Sequence, residues 1–185
     1  MSDSPDPRFA SLVQPHFAGL YRAALRLTRR RHDAEDLVQE VCLRACMRLG
    51  DLESVANPRA WLMRALYHLF IDAARRRRLR LRLASIVGSG DEDAAAPNGE
   101  PDPERAADAH RMQERVVAVW HRLGPEQRAL LALHAEGHGL GELVAILGSN
   151  RNALSARLHR ARSRLAKLLA GDQHKPSLEL VETKR

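Results

Sequence analysis

Cysteine, lysine and aromatic residues are scarce in this 185-residue chain. Its two cysteines, Cys42 and Cys46, cannot build the disulfide framework on which small secreted domains depend. Lysine occurs three times, at Lys167, Lys175 and Lys184, so arginine supplies the other 27 of the 30 basic side chains. No apolar run approaches the roughly 18–20 residues that cross a bilayer. The opening Met-Ser-Asp-Ser-Pro-Asp-Pro is acidic and proline-rich, unlike the basic-then-apolar start of a secretion signal. A cytoplasmic protein without membrane insertion is therefore expected. A phosphate-binding Gly-Lys loop, a zinc-protease helix and a nucleophile elbow are all missing, which argues against an enzyme and against a cofactor. Cys42 and Cys46 lie one helical turn apart, as do His134 and His138. Without further donors these pairs read as small core thiols and surface imidazoles rather than a zinc site.

What is present is helical. Hydrophobic residues make up 44% of the chain, enough to fold, and the net charge is +7. No stretch alternates like a strand. Phe9, Leu12, Val13, Phe17, Leu20, Ala24 and Leu27 form one stripe at helical spacing, with Pro15 inside it, so a continuous helix is expected from near His16. A second helix is predicted over 33–49, with Asp33 and Asp36 placed to cap its positive end, inward Leu37, Val38, Val41 and Ala45, and Gly50 ending it. Asn57-Pro58 is a cap followed by a proline in the first helical position. The helix it starts is expected to reach about Leu83 and to end in an Arg75–Arg82 stretch with six arginines in eight residues.

Composition then reverses. Seven acids and one arginine lie between Ser85 and Ala109, a net of −6, among prolines and glycines. This reads as a flexible linker between two helical modules. The second module is expected to open at Asp102-Pro103, with Met112, Val116, Val119 and Leu123 as a stripe. Further helices are predicted over 125–136 and 141–147, the latter stopped by Gly148. Asn150 caps a last helix to about Leu169, with Leu154, Leu158, Ala161, Leu165 and Leu168 inward. Gly137-His138-Gly139-Leu140-Gly141 follows a helix and is read as a turn, and the tail from Gly171 as disordered.

Leu140 to Lys167 has the order short helix, tight turn, longer helix, the layout in which the second helix enters a DNA major groove. No acid falls between Leu143 and Gly171, while Arg151, Arg157, Arg160, Arg162, Arg164 and Lys167 add six positive charges. Such a face attracts phosphates through counterion release, although a plain solvated face would look alike. Trp61, Tyr67 and Phe70 precede the arginine run, and rings beside a basic track suit unpaired bases. At about 100° per residue these three rings cannot share one face, so Trp61 or Phe70 is expected in the core.

These residues, taken in order, resemble the extracytoplasmic-function (ECF) sigma factors of bacterial RNA polymerase. Leu20-Tyr21 to Thr28, Asp33-Ala-Glu-Asp-Leu-Val-Gln-Glu40, Asn57-Pro-Arg-Ala-Trp-Leu62 and Ile71-Asp72 are similar to that family's region two. Leu123-Gly-Pro-Glu-Gln-Arg128 through Gly148 to Arg162 is similar to its region four.

The resemblance implies an all-α fold: a region-two bundle over 9–83, an acidic linker over 84–102, a region-four helix-turn-helix over 103–169 and a tail over 170–185. It implies that Asp33, Asp36, Gln39 and Glu40 meet the RNA polymerase core. Trp61, Arg64, Tyr67, His68, Asp72, Arg75 and Arg76 would read and hold the melted minus-ten element. A flipped base would sit near the loop expected over 50–57. Asn152, Ser155, His159 and Arg160 would face minus-thirty-five bases, with Arg151 and Arg157 on phosphates. An anti-sigma factor is implied as a further partner. Tyr67-His68 stands where the family commonly has Arg-Asn, and Ser155-Ala156 also departs from its pattern, so an individual promoter preference is implied. The acidic linker suits either a spacer or a stand-in for RNA in a polymerase channel. Two other classes compete: a helix-turn-helix regulator that never joins polymerase, and a pure interaction protein.

Overall fold

Eight α-helices, and no strand, account for the regular structure among the described residues of the computed structural model, 6–87 and 106–172. Helix α1 (Pro7–Thr28) starts where Asp6 accepts the Arg8 N–H at 2.9 Å and Pro7 takes the first position. Pro15 lies inside α1, against the expected start near His16. Its ring is on the exposed side, and the packing of Phe9, Leu12 and Val13 holds the turns before it despite the lost hydrogen bond.

Helix α2 (Arg31–Met47) starts two residues earlier than expected and has no side-chain cap. Asp33 sits in its first turn and Asp36 a turn further in, and neither caps it, so the expected capping role of both is corrected. Gly50 does not end the segment either. It lies within α3 (Leu49–Ser54), which replaces most of the loop expected over 50–57 because Leu52 turns fully into the core. Helix α4 (Pro58–Val87) begins as predicted, with the Ala60 N–H donating to the Asn57 side chain at 3.0 Å.

The second set comprises α5 (Ala106–Trp120), α6 (Pro125–Ala135), α7 (Leu140–Leu147) and α8 (Arg151–Asp172). Gly148 ends α7 with φ of +63°, a conformation that favours glycine. The Asn150 side chain caps α8 by accepting the Ala153 N–H at 2.7 Å. The acidic segment, the Asp102-Pro103 start and the tail beyond Asp172 lie outside the described residues.

Helices α1–α4 pack on one another around Leu20, Leu27, Leu52, Leu62, Met63 and Leu66. Helices α5–α8 pack around Leu130, Leu133, Leu143, Ile146 and Leu154. The two bundles also meet, α1 and α4 lying against α6 and α7. No helix among the described residues is long and apolar enough to cross a membrane.

Candidate nucleic-acid and polymerase interface

Three exposed helix faces carry the predicted site residues. On α2, Asp33, Asp36 and Glu40 fall within about 60° of arc and are all exposed. Their local partners are exposed ones a turn away: His32 lies 3.8 Å from Asp36, and Arg44 donates to Glu40 at 3.2 Å. Exposed ion pairs of this kind contribute little, so these carboxylates stay available to a basic partner. Gln39 is one step round the helix, on a groove of about 580 Å³ between α1 and α2 that Phe17, Tyr21, Val38 and Cys42 also line. Burial pushes the Cys42 thiol up, so it is a packing group there rather than a reactive thiolate.

On α4, helical geometry puts Trp61, Arg64, His68, Asp72 and Arg75 within about 80° of one another, with Arg76 at the margin. Arg64, His68, Arg75 and Arg76 are exposed, and Trp61 and Asp72 are half-buried. Asp72 lies 3.6 Å from the Arg75 guanidinium one turn on. Tyr67 stands off this face and is half-buried, its ring edge-on to His68 with centroids 5.3 Å apart. Phe70 is the ring that enters the interior. Beyond it the arginine run is exposed, together with Leu79, Leu81 and Leu83.

On α8, Leu154, Leu158, Ala161 and Leu168 face the core, and Asn152, Ser155, His159 and Arg160 are exposed on the other side. Arg151 is exposed at the helix start. Arg157 differs. It lies on the flank nearest α6 and is half-buried, its guanidinium 3.0 Å from the Glu126 carboxylate. It would have to leave that partner to reach a phosphate.

A set of residues that periodicity did not single out joins the two bundles. The Glu136 side chain is 3% exposed and bridges to Arg26 and to Arg22, the latter at 3.1 Å. Arg59 of α4 lies 3.6 Å from Glu142 of α7. Two arginine–aromatic contacts run in opposite directions: Arg29 stands over the Trp120 ring at 5.6 Å, and Arg128 over Phe70 at 5.4 Å. The backbone of Arg29 takes a left-handed φ of 59°, unusual away from glycine. Arg64, on the predicted minus-ten face, runs over the helix-turn-helix turn, 2.9 Å from where a β-carbon on Gly148 would stand. His138, expected as a surface imidazole, is 1% exposed; the turn between Gly137 and Gly139 folds it inward, which corrects that reading. The glycines around it mark the turn, but nothing local marks the burial.

Residues 12–80 match the Sigma-70 region 2 family. Over 170 residues the chain is 32% identical to RNA polymerase sigma factor CnrH of Cupriavidus metallidurans, covering 90% of this chain and 89% of that protein. It is 33% identical over 153 residues to ECF RNA polymerase sigma factor SigL of Mycobacterium tuberculosis, covering 82% of each. Identity is also 33% over 165 residues to ECF RNA polymerase sigma factor SigE of Mycolicibacterium smegmatis, of which the chain spans 62%. Among solved structures, sigma factor RpoE from Bartonella quintana, in complex with the anti-sigma factor NepR, superposes with a TM-score of 0.66. That match has 26% identity and covers 89% of this chain and 98% of the other. CnrH in complex with the cytosolic domain of CnrY gives 0.59 at 25% identity, covering 89% and 88%.

Proposed function

The chain belongs to the ECF sigma factors, and from that we propose that it binds RNA polymerase core in the cytoplasm, recognises two promoter elements and helps open the duplex, with no catalytic step of its own. One observation carries the reading. Two separate bundles of one chain each expose a helix face of basic and hydrogen-bonding side chains, α4 in the first and α8 in the second. The first bundle adds an acidic face on α2 for the polymerase. We assign region two to 9–83, the linker to 84–102, region four to 103–169 and the tail to 170–185. Both superposed structures are sigma factors held by anti-sigma factors, which supports control of this chain by such an inhibitor.

Trp61, Arg64, Tyr67, His68, Asp72, Arg75 and Arg76 are assigned to the minus-ten strand. Unstacking a base costs a few kcal/mol, which rings and backbone contacts on this face must return. Asn152, Ser155, His159 and Arg160 are assigned to minus-thirty-five bases, and Arg151 and Arg157 to phosphates. Elements about 25 base pairs apart, at about 3.4 Å each, are separated by roughly 85 Å of duplex. Helix α8, with 22 residues, is only about 33 Å long. Arg64 of the α4 face lies against the turn at Gly148 just before α8, so the two faces sit far closer than that and the bundles must part for both elements to be engaged.

Run-off transcription with purified core polymerase tests the reading. Transcripts from a cognate promoter are expected only when the chain is added, and a stand-alone regulator or interaction protein would yield none. Arg160→Ala should weaken binding to minus-thirty-five duplex about tenfold, about 1.4 kcal/mol. A salt titration then assigns the contact, since loss of a phosphate partner lowers the slope by about one and loss of a base partner relaxes sequence preference. Asp36→Ala should weaken core binding by up to about fivefold, the reach of an exposed ion pair, and leave minus-thirty-five affinity unchanged. Pull-down with core polymerase and a DNA binding isotherm would separate those two results.

A further inference from the structure

His138 is a buried imidazole, 1% exposed, and it lies at the seam between the bundles. Neither ring nitrogen makes a hydrogen bond there. Its Nδ1 is 3.4 Å from the Glu142 carboxylate, which also receives the Gly139 N–H at 3.3 Å and lies 3.6 Å from Arg59 of the first bundle. One carboxylate thus faces two potential cations, one from each bundle. His134 of α6 also adjoins His138, its Nδ1 3.2 Å from the His138 carbonyl, and the charge of Arg59 acts on His16 of α1 as well.

His121, in the turn after α5, follows Trp120, whose ring is covered by Arg29 of the first bundle. The charges that act on its imidazole are Arg128 of α6, Arg77 of α4, and Arg29 and Arg30 after α1. On both histidines burial comes first and neighbouring arginines second in holding the imidazole below its ordinary value of 6.5, with Glu142 opposing in part at His138.

We propose that His138 and His121 form an acid-sensitive latch, whose protonation parts the second bundle from the first and uncovers Arg64 and the turn before α8. A proton on His138 puts an imidazolium beside Arg59 and makes it compete with Arg59 for Glu142, so the ion pair across the seam weakens. A proton on His121 adds like charge to four arginines. The closed form keeps both rings neutral, and parting returns them to water and to their ordinary proton affinity. Closure therefore has its full stability above about pH 6.5 and loses it as pH falls, by up to about tenfold per unit for each histidine. The latch concerns the chain alone, while its consequence for promoter binding rests on the sigma-factor reading.

The test uses the full chain without polymerase or DNA. One dye is placed on Cys46 of α2 and one on α8 through Ala166→Cys, with Cys42→Ser removing the other thiol. Energy transfer is expected to fall between pH 7.5 and 5.5 with far-UV helicity unchanged, and the His138→Gln, His121→Gln double variant should lose most of that dependence. Constant transfer down to pH 5, or an equal fall in the double variant, would overturn the proposal. Should His138→Gln fail to fold, His121→Gln alone, at an exposed position, must still reduce the pH dependence, and an unchanged profile overturns the latch as well.

Discussion

Leu66→Ala is expected to destabilise the first bundle by about 3 kcal/mol, within the usual cost of emptying a buried leucine site. Leu66 is fully buried on α4, on the side of the helix away from the Trp61–Arg75 face. The side chains proposed to meet the minus-ten strand are therefore untouched by the change, and only their support is lost. For a bundle of this size the loss should lower Tm by more than about 10 °C. At temperatures where the variant remains folded, affinity for minus-ten single strand should be close to that of the parent chain. A Tm shift of only a degree or two would mean that α4 does not pack through this residue. A large affinity loss with an intact fold would mean that the opposite face had been misassigned.

Glu136→Gln should open the seam. The carboxylate is almost wholly buried and is shared by Arg22 and Arg26, so an amide leaves two guanidinium groups facing a neutral partner. Breaking a fully buried pair costs about 3–5 kcal/mol. The Arg22 and Arg26 side chains are 60% and 40% exposed, and water recovers part of that, so about 2 kcal/mol is expected. A change of that size moves the ratio of closed to parted chains by roughly thirtyfold. The radius of gyration from small-angle scattering should rise while helicity stays constant. If promoter binding requires parted bundles, affinity for a fragment carrying both elements should rise with it. An unchanged radius would show that Glu136 does not hold the bundles together.

Much of the local structure was legible because its signals are local. Asn57-Pro58 and Asn150 carry the cap chemistry that starts α4 and α8, and both caps form as expected. Gly148 takes the left-handed conformation that stops α7. The inward stripe on α8 was readable from spacing, with Leu165 only half-buried. Errors arose where burial elsewhere in the chain outweighed a local rule. Pro15 was expected to delay α1, but residues on either side of it share one packed stripe. Gly50 was expected to end a helix, but Leu52 gains more by entering the core from α3 than glycine loses by being helical. Asp36 was weighed as a cap, and α2 starting at Arg31 left it on an open face instead.

The sequence alone determined seven of the eight described helices in order, the two bundles, the family and the three faces on α2, α4 and α8. The helices, bundles and faces rest on periodicity, capping or composition within a few turns of chain, and the family on the resemblance of motifs spread along it. Only the tertiary structure decided which of those groups are already engaged: Arg157 by Glu126, Arg64 by the turn at Gly148, Glu136 by two arginines more than a hundred residues away. The seam is written by pairs such as Arg29 with Trp120 and Arg128 with Phe70, whose partners share no segment and no period. A charge or a ring on a helix surface reads as solvated until a second surface is brought against it, and the geometry that does so exists only in the folded chain.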